Sequence, residues 1–195
     1  IRGETEVALR TAEHSNFDAR DVFGRILEQP RDLGRMVNDL FVIALAETGS
    51  LPLERERLDL HDVASRVASD FSTLANEAGG SVSVLQGPEC VGLIDPERVR
   101  RAIAALIENA MRHCQPAVKV EIEVTMIDGR PSIVVTDDGP GIDPSIAPEL
   151  FERFRRGDTR GEGSGLGLSL VSALMEAHGG SAYLATAPNG GTRVI

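Results

Sequence analysis

The sequence predicts an α+β protein. A helical hairpin over residues 1–50 is followed by a mixed domain over 51–195 whose sheet is covered on one face by helices. Three observations carry this expectation. Up to about residue 50 the apolar residues recur at steps of three and four, with no strand-like alternation. Beyond it, helical stretches that stop at Gly-Gly pairs alternate with short apolar–polar strands. Gly, Asp and Pro then crowd into segments directly after a strand and before a helix.

The first part opens with a short amphipathic stretch holding Val7 and Leu9, broken at His14-Ser15-Asn16-Phe17-Asp18, residue types that favour turns and helix starts. A long helix to about Glu47 follows, with Val22, Ile26, Leu33, Val37, Leu40 and Ala44 on one stripe and Met36, Phe41 and Ile43 beside them. Pro30 predicts a kink. Thr48-Gly49-Ser50 supplies the stop. One hairpin cannot bury a stripe on both of its helices, so half of a dimeric four-helix bundle is expected. The alternative is that the stripe packs on the chain's own second half.

The second part reads as a helix over Leu58–Ala78, strands at Ser81–Leu85 and Val91–Ile94, and a helix from the cap Asp95-Pro96 to about Cys114. A strand at Val118–Ile127 then turns at Asp128-Gly129 into Ile133–Thr136. The Gly- and Pro-rich stretch 137–165 precedes a helix over Leu166–His178. Closing strands at Ala182–Ala185 and Arg193–Ile195 are bridged by Asn189-Gly190-Gly191.

Composition narrows the function. The chain has 195 residues with 30 Asp+Glu against 20 Lys+Arg, a net charge of −10 and a pI near 4.9. An acidic surface disfavours a nucleic-acid partner bound through a basic face. A hydrophobic content of 42% with 26% charged residues excludes wholesale disorder. The longest apolar run, around Leu40–Ala46, falls far short of a bilayer span, so no membrane contact is expected of this stretch. Cys90 and Cys114 sit in no metal or redox spacing, which predicts two reduced thiols in a cytoplasmic setting. Ile1 falls inside a helical pattern and Thr192–Ile195 inside a strand, so the sequence is expected to be a piece of something longer, cut ahead of Ile1 and within its last strand.

Three clusters can carry chemistry. Glu108-Asn109-Ala110-Met111-Arg112-His113 ends a helix and sets its polar groups on one face, where an amide oxygen, a guanidinium and an imidazole can hold a metal-bound polyphosphate. Read alone, it is more simply a solvated helix end. Asp137-Asp138-Gly139-Pro140-Gly141-Ile142 comes directly after a strand; a carboxylate there can accept from an exocyclic amine, and the glycines allow close approach. Read alone, it is more simply a turn. Gly161-Glu162-Gly163-Ser164-Gly165-Leu166-Gly167-Leu168 opens a helix, whose first amides form a local anion site. No strand immediately precedes it and no Lys-Ser/Thr comes after it, so it is neither a dinucleotide fingerprint nor a Walker loop. Lys119 is the only lysine, so a phosphate cation must be Arg, a metal or backbone.

Taken in order, these clusters resemble the boxes of the GHKL ATPases, and Leu150-Phe151-Glu152-Arg153-Phe154-Arg155-Arg156-Gly157 resembles the F box of sensor histidine kinases. With the upstream hairpin, the resemblance covers almost the whole chain. It implies a dimerisation and phosphotransfer hairpin to residue 50, then a catalytic ATP-binding α/β sandwich over 51–195. Asn109 would hold Mg2+ on the triphosphate, with Glu108 as the base and Arg112 and His113 near the phosphates. Asp137 would read adenine, with Gly139, Gly141 and Ile142 lining its pocket. Arg156, with Arg153 second, would approach the terminal phosphate, and Gly163, Gly165, Leu166 and Gly167 would wrap the phosphates. Phe151 and Phe154, three apart, read as a helical turn pinning the lid.

The resemblance implies ATP and Mg2+ as cofactors, a homodimer, the receiver domain of a response regulator as partner, and a cytoplasmic location. It leaves open whether the full-length protein is anchored in the inner membrane. Ala105 stands where many members carry a second Asn, a departure that bears on metal or phosphate contact. Ile1-Arg2-Gly3-Glu4 resembles the residues a few positions beyond the acceptor-histidine box, so the phosphorylated His is expected ahead of Ile1. His14 lacks the flanking residues of an acceptor. His61-Asp62 mimics another subclass, but too few residues separate it from Asp95 for a second hairpin, so it reads as a surface residue. His178, before Gly179-Gly180, reads as a helix C-terminal cation. The competing readings are an ATP-gated dimerisation module and a degenerate scaffold of the same superfamily.

Overall fold

The computed structural model describes residues 19–114, 117–142, 146–154, 164–187 and 190–195. Helix α1 spans Ala19–Glu47 and runs through Pro30 rather than ending there. The first helix expected of the hairpin lies outside the described residues. The chain divides into two compact units, Ile1–Asp39 and Leu40–Ile195, with the division inside α1. On α1, Leu33, Val37 and Phe41 lie exposed at four-residue steps, whereas Val42 and Ile43 are buried. The helix ends in a Schellman motif: Ser50 N–H bonds the Leu45 carbonyl at 2.8 Å and Gly49 N–H the Ala46 carbonyl at 2.9 Å.

The second unit begins differently from the sequence expectation. Leu58 and Asp59, predicted to open a helix, belong to strand β1 (Glu56–Asp59), which pairs antiparallel with β3 (Val91–Ile94). Helix α2 (Leu60–Glu77) starts one residue later. The reason is Asp59, whose Oδ1 accepts from the amides of His61 at 3.1 Å and Cys90 at 3.2 Å. One carboxylate thus caps α2 and clips it to the segment entering β3. The amide and ring of His61 hold Asp59 below the usual carboxylate range. His61 is therefore not the surface residue expected: its ring is half-buried, with Nδ1 at 3.1 Å from Asp59 Oδ1.

The main sheet runs β2 (Ser81–Val84), β4 (Lys119–Ile127), β5 (Arg130–Asp137), β7 (Thr192–Val194), β6 (Leu184–Thr186) in spatial order. Only β2 and β4 are parallel among these neighbours. Strict alternation on β4 buries Val120, Ile122 and Val124 and exposes Lys119 and Glu121. Onto the buried face pack α2, helix α3 (Pro96–His113) and helix α4 (Gly167–Ala177), through Val67, Ile103, Ile107, Leu170 and Leu174. The expected one-sided α/β layer is thus present.

Asp95 is the hinge pin of α3. It is buried; Oδ1 caps the Arg98 amide at 3.1 Å and Oδ2 accepts from Glu54 N–H at 3.0 Å, in the segment leaving α1. Its own N–H bonds His178 Nε2 at 3.1 Å, while His178 Nδ1 lies 2.7 Å from the Leu174 carbonyl. An acceptor Nε2 and a donor Nδ1 define a neutral ring, so His178 is not the helix-end cation expected from sequence. Arg55 adds a bond to the Ala177 carbonyl at 2.9 Å. The C-terminal end of α4 is in this way tied to the segment before β1. We predict that Asp95→Ala, which removes a cap and a buried tie together, lowers the unfolding free energy by about 2 kcal/mol. Urea unfolding of the chain checks this, since an unchanged midpoint contradicts it.

Candidate functional site

Strand β5 ends on Asp137, opposite Thr192 of β7. The main-chain ladder pairs Val135 with Val194 and Thr136 with Arg193, then gives way to a side chain. Asp137 Oδ1 accepts from Thr192 N–H at 3.1 Å and from Gly139 N–H at 2.9 Å. The thiol of Cys114, at the C-cap of α3, lies 3.5 Å from the same oxygen. Asp137 is buried, and these donors compensate its desolvation. Among the described residues Oδ2 has no hydrogen-bond partner. The neighbouring Asp138 does something else: it is exposed, and its Oδ1 accepts Lys119 N–H at 2.8 Å, fastening the loop to the start of β4.

Close approach explains the glycines. A Cβ on Gly191 would collide with the Asp137 carbonyl, and one on Gly139 with the Cys114 sulfur. Gly141 has a φ of +75°, and a Cβ there would collide with the Gly190 carbonyl. The loop 137–141 and the approach to β7 are pressed together along their backbones. Ile142 comes next, half-buried.

The end of α3 supplies the polar face. Leu106, Ile107 and Ala110 are buried on one side. Glu108 and Asn109 are half-buried on the other, and Arg112 and His113 are exposed. Because Cys114 at this helix end meets Asp137, the first and second sequence clusters form one locality. Burial pushes the Cys114 thiol up to about 12, with the charge of Asp137 a second cause.

Helix α4 packs on α3 and begins at the third cluster. Gly165 has a φ of +67°, Leu166 is buried, and Leu166 N–H bonds Ser164 Oγ at 3.3 Å. Leu166 makes no side-chain cap at the N-terminus of α4, so among the described residues the amides from Gly167 on keep donors to offer. The short 3-10 turn Ala147–Phe151 buries Leu150, and Phe154 N–H bonds the Gly165 carbonyl at 3.1 Å. The turn expected to pin a lid is held by Leu150 and this backbone bond. Phe154, expected to pin it through its ring, is 63% exposed. Arg153 forms an ion pair with Glu47 in the last turn of α1. Arg156 and Gly163 lie outside the described residues.

Three participants escaped the sequence reading. Thr192 and Gly191 read only as a strand start and a bridging turn, and Cys114 as an inert thiol. A Gly-Gly pair leading into the strand beside the Asp-bearing one is the signal that would have found the first two.

A family model described as histidine kinase-, DNA gyrase B-, and HSP90-like ATPase matches residues 94–195. The chain belongs to that ATPase family. Its relatives identify the branch. It is 33% identical over 196 residues to the sensor histidine kinase CusS of Escherichia coli O157:H7, covering 98% of this chain and 40% of that protein. It is 31% identical over 192 residues to the probable sensor histidine kinase TcrY of Mycobacterium tuberculosis (strain ATCC 25618 / H37Rv), covering 96% and 40%. The chain thus spans about two fifths of the length of these curated relatives. The structure of full-length ShkA in complex with AMPPNP superposes with a TM-score of 0.75 at 27% identity, covering 93% of this chain and 39% of that one. Acinetobacter baumannii histidine kinase AdeS shares the fold, with a TM-score of 0.74 at 24% identity, over 99% of this chain and 89% of that one. The mixed domain is accordingly an ATPase domain of the sensor-histidine-kinase kind.

The Cys114–Asp137 contact makes a prediction of its own. Cys114 should react slowly with iodoacetamide at pH 8, and Asp137→Asn should speed the reaction several-fold, about threefold or more, by removing the negative charge that opposes the thiolate. Equal rates in the two proteins, tracked by mass spectrometry, would contradict the coupling.

Proposed function

We propose that this ATPase domain binds Mg-ATP and that the full protein uses it as a protein-histidine kinase, passing the γ-phosphoryl to a histidine and then to an aspartate of a response-regulator receiver domain. The observation that carries the reading is the Asp137 carboxylate. It is buried, one oxygen is saturated by protein donors, and the other has no protein partner among the described residues. Such an oxygen suits an exocyclic amine, and the base of ATP carries one.

The residues present fit the rest of the nucleotide. Asn109 presents an amide oxygen of the hard kind that magnesium prefers. Arg112 and His113 supply the cationic and donor groups that an otherwise lysine-poor chain needs near phosphates. The uncapped start of α4, with Gly165 and Gly167, offers backbone N–H groups to the phosphate oxygens. Leu166 anchors that turn in the core, and the sequence motif alone assigns Gly163 and Arg156 to the same phosphate role. Gly139, Gly141 and Ile142 would flank the base. When bound, magnesium neutralises charge on the phosphates.

In the transfer the bond from the γ-phosphorus to the bridging oxygen of ATP breaks, a phosphorus–nitrogen bond forms, and ADP leaves. Glu108 is placed by sequence to accept the imidazole proton. The pocket contributes positioning and charge neutralisation, with no covalent step of its own. Two of the histidines are poor acceptors: the ring of His61 is half-buried with Nδ1 on Asp59, and both ring nitrogens of His178 are engaged. We therefore place the acceptor on another part of the full protein. Dimerisation through the α1 hairpin and the receiver-domain partner belong to the same proposal. No helix among the described residues is long and apolar enough to cross a membrane.

Titration of the chain with ATP tests the site. Binding should require magnesium, and Asn109→Ala should weaken Mg-ATP at least about tenfold while leaving the unfolding midpoint unchanged. An unaltered affinity removes Asn109 from the metal role. Incubation of the chain with γ-labelled ATP should leave no acid-labile label on it; strong labelling would place the acceptor among its own histidines.

A further inference from the structure

Asp137 has two oxygens with different surroundings, and the difference comes from three elements. Thr192 N–H arrives from β7 and Gly139 N–H from the loop, both at Oδ1. Two amides from the sheet side leave the α3 side of the carboxylate to be decided by a third group. That group is Cys114, whose sulfur lies 3.5 Å from Oδ1 and abuts Gly139, where no Cβ fits. The thiol remains a donor because burial and the neighbouring carboxylate keep it protonated.

We propose that Cys114 is a positioning residue for nucleotide recognition: its S–H locks Asp137 through Oδ1, so that Oδ2 is the oxygen presented to the base. The proposal rests on Asp137 being the adenine-reading carboxylate. It adds that the selectivity for a 6-amino purine is set partly from α3. Cys114 lies little more than one helical turn beyond Asn109, so the same residue couples the base-reading carboxylate to the helix bearing the proposed metal ligand. Without the thiol donor, Oδ1 keeps only the two amides of Gly139 and Thr192, the carboxylate is held on the sheet side alone, and its preference for accepting from an amine at one fixed point weakens.

The experiment compares ATP with purine riboside triphosphate, which lacks the 6-amino group, by calorimetric titration of the wild-type chain and its Cys114→Ser and Cys114→Ala variants with magnesium present. The alanine variant should bind ATP about three- to tenfold more weakly, the effect of one hydrogen bond. Its affinity for the deamino nucleotide should stay within about twofold of wild type, because that ligand places no demand on Oδ2. Serine, which keeps a donor, should restore the preference for ATP. An equal loss for both nucleotides, no loss for either, or a serine variant as impaired as alanine overturns the proposal. Should the alanine variant unfold, Cys114→Val keeps the bulk without the donor and carries the same expectations. A wild-type chain that does not prefer ATP over the deamino nucleotide, with Asp137→Asn binding both as wild type does, overturns the reading of Asp137 itself.

Discussion

A buried carboxylate must find donors or lose its charge, and in this domain that requirement falls on Oδ1 of Asp137. Its donors come from the loop after β5, from β7 and from the end of α3, segments far apart in the sequence. Satisfying one oxygen therefore assembles three parts of the domain around it. The glycines at 139 and 191 answer to the same crowding, because a side chain at 139 would collide with the Cys114 sulfur and one at 191 with the Asp137 main-chain carbonyl. Among the described residues, solving this desolvation problem leaves Oδ2 as one acceptor to spare.

The opposite end of the layer uses the same chemistry for a different purpose. Asp95 is also buried, but both of its oxygens are engaged, one capping α3 and the other holding Glu54 N–H. His178 and Arg55 complete a clasp on the last turn of α4. Helix α4 is thus held at its C-terminal end, while at its N-terminal end the N-cap residue Leu166 makes no side-chain cap. Rigid support at one end and open donors at the other is what a phosphate site needs from a helix. The turn at Arg153-Phe154 is held more lightly, by Phe154 N–H and by the partly exposed pair of Arg153 with Glu47, of a kind worth at most about 1 kcal/mol.

Much of this was legible in the sequence, for identifiable reasons. Asp95-Pro96 and the Gly pairs that close α2 and α4 act locally, so their positions fixed helix ends to within a residue. The alternation on β4 is equally local. What escaped was set by partners distant in the chain. Asp59 caps α2 while bonding Cys90, which turns the expected first helical residues into β1. His178 is neutral because Asp95 N–H points at it, not because of anything beside it in the sequence. Phe154 lies exposed where its spacing from Phe151 suggested a packed turn. Within the site, Asp137 announced itself through its glycines, but Thr192 and Cys114 join it only through sheet order and helix packing.

One ligand must engage the end of α3, the loop after β5 and the start of α4 together if these segments form a single nucleotide site. Amide shifts of the isotopically labelled chain, recorded by NMR as Mg-ATP is added, read this directly. Perturbed residues should gather at 108–114, 137–142, 164–168 and 191–192, with Gly139 and Thr192 amides moving along the same saturation curve. Perturbations confined to one of these segments, or centred away from Asp137, would contradict a shared site.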